Sequence, residues 1–313
     1  MRVAVVGAGI CGLYLAWKLS ERGYEVTVFE KKKKIGKEVC SGLLSQKILD
    51  IIPESQNLIQ NQIEYALLHF PKRTLRVNFS GKFFVMNHSE LDRLVAALAE
   101  KSGAKFLLKY NVTKQGLVTL QNDFERVIGC DGALSQIRES LGLTAPQFYL
   151  GIQGFVSKID NSCFVETWPT KFGFLWKIPR GKKIEYGIIE EPKKAKKLFD
   201  EFLEANSIHL ERINSALIPQ GMIIPLNSRT TLCGDSTGLT KPWSGGGVVW
   251  GLIAANILLK NFPDFLKYQR EMKKFFLPKI IFSKVAKKLV YFFGFNAPWL
   301  FPKEIKIEGD FLV

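Results

Sequence analysis

The sequence predicts an α/β protein in which a Rossmann-type nucleotide-binding domain is interleaved with a mostly antiparallel β-sheet domain and followed by a C-terminal helical segment. Three observations lead to this prediction. A glycine-rich turn joins a strand to a helix at the N-terminus. Stretches of alternating apolar and polar residues interrupt the nucleotide-binding part. Residues 263–313 combine lysines with aromatic residues at helical spacing.

The N-terminal unit has the order strand, turn, helix, strand. Residues 2–6 are a β-branched run typical of a buried strand, and residues 13–21 predict a helix. A second strand over residues 24–29 ends at Glu30. This is the βαβ context in which a glycine-rich turn has a specific meaning.

The turn between them reads G-x-G-x-x-G, with Gly7, Gly9 and Gly12 at the conserved spacing of the motif. Gly7 makes the tight turn, Gly9 lets the backbone approach a pyrophosphate, and Gly12 allows close packing of the helix on the strand. The helix N-terminus offers free N–H groups to the phosphates. Glu30 is placed to accept hydrogen bonds from ribose hydroxyls, so the unit predicts dinucleotide binding.

Two later segments distinguish between nucleotides. Residues 127–133 form a strand that ends in an Asp-Gly turn, and residues 231–238 form a strand that runs into a Gly-Asp turn. Glycines 245–247 then open a helix over residues 248–259. An acid at such a strand end can bind a ribityl chain, and bare N–H groups can face a flavin pyrimidine ring. Because a nicotinamide cofactor leaves both features unexplained, the pattern favours FAD over NAD.

These motifs, in this order, resemble the FAD enzymes of the aromatic-hydroxylase type. Within that superfamily the chain resembles the geranylgeranyl reductases, which saturate prenyl chains. Residues 40–42 (Cys-Ser-Gly) are similar to the family's flavin loop, and residues 174–181 to its Y-x-W-x-F-P-x-G motif. Residues 234–247 are similar to its second flavin motif. Phe174 stands where the family has tyrosine, and His88 where it usually has an arginine beside the flavin.

The resemblance and the motifs together give a set of expected site residues. Cys40 is the candidate catalytic residue, because it can assist protonation near the flavin ring; the alternative is a packing thiol. The expected FAD-binding residues are Gly7, Gly9, Cys11, Gly12, Glu30, Lys31, Cys40, Ser41, Gly42, His88, Val112, Asp131, Gly132, Gly234, Asp235, Gly245, Gly246, Gly247 and Val248. The expected substrate-binding residues are Phe174, Trp176, Pro179 and Trp243.

The chain leaves and re-enters the nucleotide-binding domain, so the domains interleave in sequence. The FAD-binding domain is expected over residues 1–62, 87–147 and 220–262 and the sheet domain over 63–86 and 148–219. The aromatic residues of the sheet domain either build its core or, as we expect for Trp176 and Trp243, line an apolar tunnel above the flavin.

The charge balance points to an anionic partner, since 44 Lys and Arg face 29 Asp and Glu. Residues 260–303 carry ten of the basic residues between aromatic ones, which suits peripheral contact with an anionic membrane. The alternative is that these aromatic residues pack on the flavin domain. We expect no nucleic-acid partner, since no recognised motif accompanies the charge. The five widely spaced cysteines indicate neither a metal site nor a disulfide framework. We therefore expect a cytoplasmic protein that contacts membranes peripherally.

The resemblance implies hydride transfer from reduced flavin to a C=C bond of an isoprenoid lipid, with NAD(P)H or a ferredoxin-like protein as electron donor. An FAD-dependent monooxygenase of the aromatic-hydroxylase type is the first alternative, because it shares the fold and flavin motifs. A membrane-surface protein that retains the fold without turnover is the second. An NAD dehydrogenase is the third.

Overall fold

The structure is a computed structural model that describes residues 1–36 and 39–310. Its helices and strands are, in chain order, β1 (Arg2–Val6), α1 (Ile10–Glu21), β2 (Glu25–Glu30), β3 (Leu43–Ser45), α2 (Lys47–Ile51), β4 (Ile59–Phe70), β5 (Arg73–Met86), α3 (His88–Lys101), β6 (Lys105–Leu108), α4 (Lys114–Asp123), β7 (Arg126–Gly129), α5 (Gln136–Ser140), β8 (Gln147–Val156), β9 (Phe164–Pro169), β10 (Phe174–Arg180), β11 (Lys183–Glu190), α6 (Pro192–Ala205), β12 (Ile213–Gln220), β13 (Thr230–Leu232), α7 (Val248–Asn261), α8 (Phe265–Asn296) and β14 (Glu304–Ile307).

The first sheet is parallel and has the strand order β13-β7-β1-β2-β6. Its central strand β1 is almost completely buried, as expected for a parallel sheet covered by helices. Val6 is aligned with Phe29 of β2 and with Gly129 of β7. The carboxyl ends of these three strands therefore meet at one edge, which is where ligands bind in open α/β sheets.

The second sheet has nine strands, eight of them in the order β12-β8-β11-β10-β9-β4-β5-β14, while β3 pairs with β5. All of its pairings are antiparallel except β4 with β9 and β5 with β14. One core cluster lies on its inner face and is packed by Ile305 and Ile307 of β14, and a second joins its outer face to α6. The predicted α/β fold class is confirmed.

The C-terminal segment differs in part from the prediction of helix alone. Helix α8 ends at Asn296, and β14 then adds a strand to the edge of the second sheet. Ile305 and Ile307 pack on the core of that sheet, while Glu304 and Lys306 are exposed. A four-residue strand shows too little alternation to be distinguished by sequence pattern from the helix before it. Residues 311–313 of the predicted segment lie outside the described residues.

The second sheet also begins earlier than expected. Strand β4 starts at Ile59 rather than near residue 63, and the three residues of β3 join the same sheet from within the predicted nucleotide-binding segment. Across residues 1–36 and 39–310, no helix has the length and hydrophobicity required to span a membrane.

Candidate functional site

The glycine turn lies at the carboxyl edge of the parallel sheet, between β1 and α1. Gly7 has φ +105°, and a Cβ atom there would lie 2.3 Å from the carbonyl oxygen of Cys130. A Cβ on Gly12 would lie 2.1 Å from the carbonyl oxygen of Gly7. At Gly9, by contrast, a Cβ would meet no described atom within 4 Å. The turn is therefore packed on two sides and leaves open space on the side from which a pyrophosphate would approach.

Glu30 lies at the end of β2 and is 9% exposed. Its two carboxylate oxygens accept hydrogen bonds from the backbone N–H of Ala8 at 2.7 Å and of Lys32 at 2.8 Å. The carboxylate is thus fixed against the glycine turn. Each oxygen keeps acceptor capacity for a ribose hydroxyl, so the predicted role stays a prediction that the geometry permits.

Two further acids lie at the same edge. The Asp131 carboxylate accepts hydrogen bonds from Ser135 Oγ at 2.6 Å and from the N–H of Ile137 at 3.0 Å, at the start of α5. These hydrogen bonds lower the pKa of Asp131, but burial has the larger effect and raises it above its ordinary value. Asp235 follows β13, and a Cβ on Gly247 would lie 2.9 Å from its Oδ1. This places the Asp235 carboxylate at the glycine-rich N-terminus of α7.

Cys40, His88 and Asp92 form a cluster beside this edge, and all three line the cavity described below. His88 Nε2 lies 3.3 Å from Asp92 Oδ1, and both side chains are buried. Although burial lowers the pKa of His88, the neighbouring Cys40 and Asp92 together raise it to about 10. The sequence position that resembles an arginine site thus holds a buried basic side chain beside a carboxylate.

Arg180 ties the Cys40 loop to the second sheet. Its guanidinium donates hydrogen bonds to the carbonyl oxygens of Cys40 at 3.1 Å, Ser41 at 3.2 Å and Met86 at 3.1 Å. It also pairs with the carboxylate of Glu185, which is fully buried. Glu185 in turn accepts a hydrogen bond from Trp176 Nε1 at 3.0 Å.

A cavity of about 760 Å³ runs from the glycine turn past Cys40 and His88 to the inner face of the second sheet. Away from the glycine turn its walls become apolar, with Leu68, Leu75, Val77 and Ile305 among the lining residues. We call this apolar part the chamber. The buried amide of Gln153 also lines it, and within the described residues its Nε2 has no hydrogen-bond partner. Trp176 and Trp243 line the same cavity, and Trp243 lies in the loop before α7.

Helix α8 and the C-terminal strand form part of the chamber wall. Lys287 lines it and donates hydrogen bonds to the carbonyl oxygens of Phe172 at 2.9 Å and Pro242 at 3.3 Å. Burial lowers the pKa of Lys287. After β14, Asp310 enters the core and accepts a hydrogen bond from Lys241 Nζ at 2.5 Å. Lys241 belongs to the glycine-rich loop before α7, so the C-terminal residues are anchored to that loop.

Most of the predicted site residues meet around this one cavity. Those that line it are Gly7, Gly9, Cys11, Glu30, Lys31, Cys40, Ser41, His88, Val112, Asp131, Gly132, Asp235, Gly245, Gly246, Gly247, Val248, Phe174, Trp176 and Trp243. Gly12, Gly42 and Gly234 do not line it. They are positions where a Cβ would collide with neighbouring atoms of the chain, so they permit close packing.

Pro179 lies apart from the other three predicted substrate-binding residues. Side chains alternate along a strand, so Phe174, Trp176 and Ile178 of β10 face the chamber while Pro179 lies on the opposite face. Pro179 therefore does not line the chamber, and its predicted contact with substrate stays an untested prediction. Sequence reasoning gave no role to Arg180, Glu185, Lys241, Gln153 and Lys287. Asp92 was missed as well, although its position four residues after His88 predicts that both side chains share one helix face.

The fold and the site define a flavin-dependent oxidoreductase. Residues 5–43 match the family model described as an NAD(P)-binding Rossmann-like domain. The chain is 27% identical to a digeranylgeranylglycerophospholipid reductase of Methanococcus vannielii, over 92% of this chain and 87% of that protein. The resemblance to the geranylgeranyl reductases is thus confirmed.

Solved structures show the same architecture. A geranylgeranyl bacteriochlorophyll reductase-like protein from Thermoplasma acidophilum matches with a TM-score of 0.78 and 21% identity, over 92% of this chain and 86% of that one. A probable FAD-dependent monooxygenase from Pseudomonas aeruginosa matches with a TM-score of 0.71 and 16% identity, over 95% and 97% of the two chains. At these identities the likeness establishes the fold.

Proposed function

We propose that the chain is an FAD-dependent reductase that saturates C=C bonds in the geranylgeranyl chains of an isoprenoid lipid. The observation that supports this most directly is the cavity, which runs without interruption from the glycine turn into the apolar chamber. A polar nucleotide fits the first part, and a long hydrocarbon chain fits the second. The similarity to reductases named for geranylgeranyl lipids supports the same substrate class.

The residues present fit FAD. Gly9 leaves open space beside the N-terminus of α1 for the pyrophosphate, and Glu30 at the end of β2 accepts a hydrogen bond from Ala8 of the same turn. Asp235 and glycines 245–247 lie at the N-terminus of α7, where backbone N–H groups and the helix dipole favour negative charge. FAD would supply the hydride; the chain supplies position, electrostatics and exclusion of water.

The chain's own residues would orient the substrate and hold a proton. Trp176 is fixed by its hydrogen bond to Glu185, so its ring forms a rigid wall of the chamber. Saturating a C=C bond needs a proton as well as a hydride. Cys40 and the adjacent His88 are our candidate pair for that proton: His88, whose pKa is raised by Cys40 and Asp92, would hold it, and Cys40 would pass it on. The apolar walls would keep water from the reacting carbons.

An anaerobic titration tests the proposal. The purified protein is reduced with dithionite, and a geranylgeranyl phospholipid is then added. Flavin absorbance that returns without oxygen, with saturated chains detected by mass spectrometry, is the expected result. The electron donor is tested separately, by offering NADPH, NADH or a reduced ferredoxin in place of dithionite.

The monooxygenase remains the second candidate, because the Pseudomonas aeruginosa protein shares the fold over 95% of this chain. In the same titration, a flavin that stays reduced with the lipid and reoxidises only in air would contradict the reductase. Rapid NAD(P)H oxidation in air, stimulated by an aromatic substrate, would favour the monooxygenase instead.

A further inference from the structure

The second half of α8 exposes a continuous apolar face. Leu277, Ile281, Val285, Leu289, Phe292 and Phe295 recur every three or four residues, so they share one side of the helix. Between 37% and 61% of each side chain is exposed. Trp299 and Leu300 continue this surface beyond the helix, at 71% and 63% exposed. We call these eight residues the α8 face.

The segment that carries the α8 face is basic. Residues 272–303 contain seven lysines, of which Lys287 faces the chamber, and no acidic residue. Lys284 and Lys288 lie on the exposed side of the same helical turns. An apolar strip bordered by cations matches a surface that is apolar inside and anionic outside, which is the chemistry of an anionic lipid bilayer.

The opposite side of these turns lines the chamber. Ala286, Lys287, Val290 and Tyr291 contribute to its wall, while Val285, Leu289 and Phe292 face outward. One helix therefore separates the chamber from the exposed apolar surface. A hydrocarbon chain that left a bilayer beside α8 would have to cross only the width of this helix to reach the chamber.

We propose that the α8 face docks the protein on an anionic lipid bilayer and that the substrate enters the chamber beside α8 directly from that bilayer. This inference rests on the proposed lipid substrate for its second part. The positive charge beside the α8 face favours a bilayer over the main alternative occupant, which is a second copy of the chain. A two-fold symmetric contact through the α8 face would bring like-charged lysines together.

Vesicle flotation tests the docking without any turnover. We expect the protein to float with phosphatidylglycerol vesicles at low salt, much less with phosphatidylcholine vesicles, and to be released by salt. Replacing Ile281 and Leu289 with Gln should weaken binding at least tenfold. Replacing Lys284 with Gln should weaken it about fivefold, because each surface lysine near anionic lipid contributes about that factor. Leu226→Gln, at a 79% exposed site off the helix, is the matched control and should bind like the unmodified chain.

Two measurements keep this inference separate from the proposed function. Turnover of a short, water-dispersed isoprenoid alcohol should be unchanged in the Ile281→Gln, Leu289→Gln variant, because neither residue lines the cavity. If flotation succeeds while no isoprenoid is reduced, docking stands and the proposed reaction fails. Absence of flotation overturns the docking. So does a dimer, seen by light scattering, that the Gln variant dissociates while vesicle binding is missing.

Discussion

Arg180 gives the sharpest prediction, since it connects the Cys40 loop, the second sheet and a buried acid. In Arg180→Met the aliphatic volume is kept, but the fully buried Glu185 carboxylate loses its counter-charge. It retains the hydrogen bond from Trp176. Removing one partner of a buried ion pair destabilises a protein by about 3–5 kcal/mol, because an uncompensated charge remains. We expect a loss of this size in the free energy of unfolding at pH 8.

The loss should depend on pH. Burial already raises the pKa of Glu185, and Arg180 is the main group that lowers it. In Arg180→Met the pKa of Glu185 should rise further, so the carboxyl group takes up a proton in the folded state at higher pH. A raised carboxyl pKa destabilises the folded state above that pKa, and the penalty is relieved as the pH falls. The difference between the two proteins should therefore shrink between pH 8 and pH 5.

Urea unfolding of the apoprotein, followed by circular dichroism, measures the difference, and the double variant Arg180→Met, Glu185→Gln is the control. With the charge on Glu185 also removed, stability should recover by about 1–3 kcal/mol relative to the single variant. Flavin affinity should fall about tenfold in the single variant, because the Cys40 and Ser41 carbonyls lose their donor. A loss below about 1 kcal/mol that does not change with pH would refute the claim that this pair is buried and coupled.

Three further predictions follow from the same geometry. Gly9→Ala should leave apoprotein stability unchanged within about 0.5 kcal/mol but remove bound flavin, whereas Gly7→Ala should impair both, as read from melting curves and flavin absorbance. The pKa of His88 is raised from 6.5 to about 10, so His88 should stabilise the folded protein relative to His88→Gln. This difference in the free energy of unfolding should be fully present below pH 6.5 and vanish as the pH approaches 10. A difference that does not change with pH would contradict this. Asp310→Ala should destabilise the protein by about 3 kcal/mol in urea unfolding, by leaving Lys241 buried without its carboxylate, and the added change Lys241→Met should restore part of that loss.

The sequence predicted those features that depend on local spacing. The glycine turn, Glu30 and the glycines before α7 could all be read, because each motif lies within a few residues of the elements that present it. Alternation along β10 also held the information that Pro179 faces away from Phe174 and Trp176. The prediction for Pro179 followed the motif resemblance instead of this alternation.

Contacts between distant segments could not be predicted in the same way. Arg180 meets Cys40 across 140 positions, and Lys241 meets Asp310 across 69. A lone basic residue in a loop and a lone acid near the C-terminus carry no pattern that pairs them. Their pairing depends on how the two sheets pack, and the sequence pattern specifies each sheet's period but not their mutual position.

The C-terminal residues show why this matters for function. Strand β14 lines the chamber, Trp250 of α7 donates a hydrogen bond to the Asp310 carbonyl oxygen at 3.0 Å, and Lys241 binds the Asp310 carboxylate. Asp310 thus links the part of the chamber wall formed by β14 to the glycine-rich loop before α7. A shift of β14 would therefore displace the Lys241–Asp310 ion pair, because no solvent is present to replace either buried partner. The chamber and the glycine-rich loop before α7 are accordingly coupled through Asp310, although they come from segments far apart in sequence.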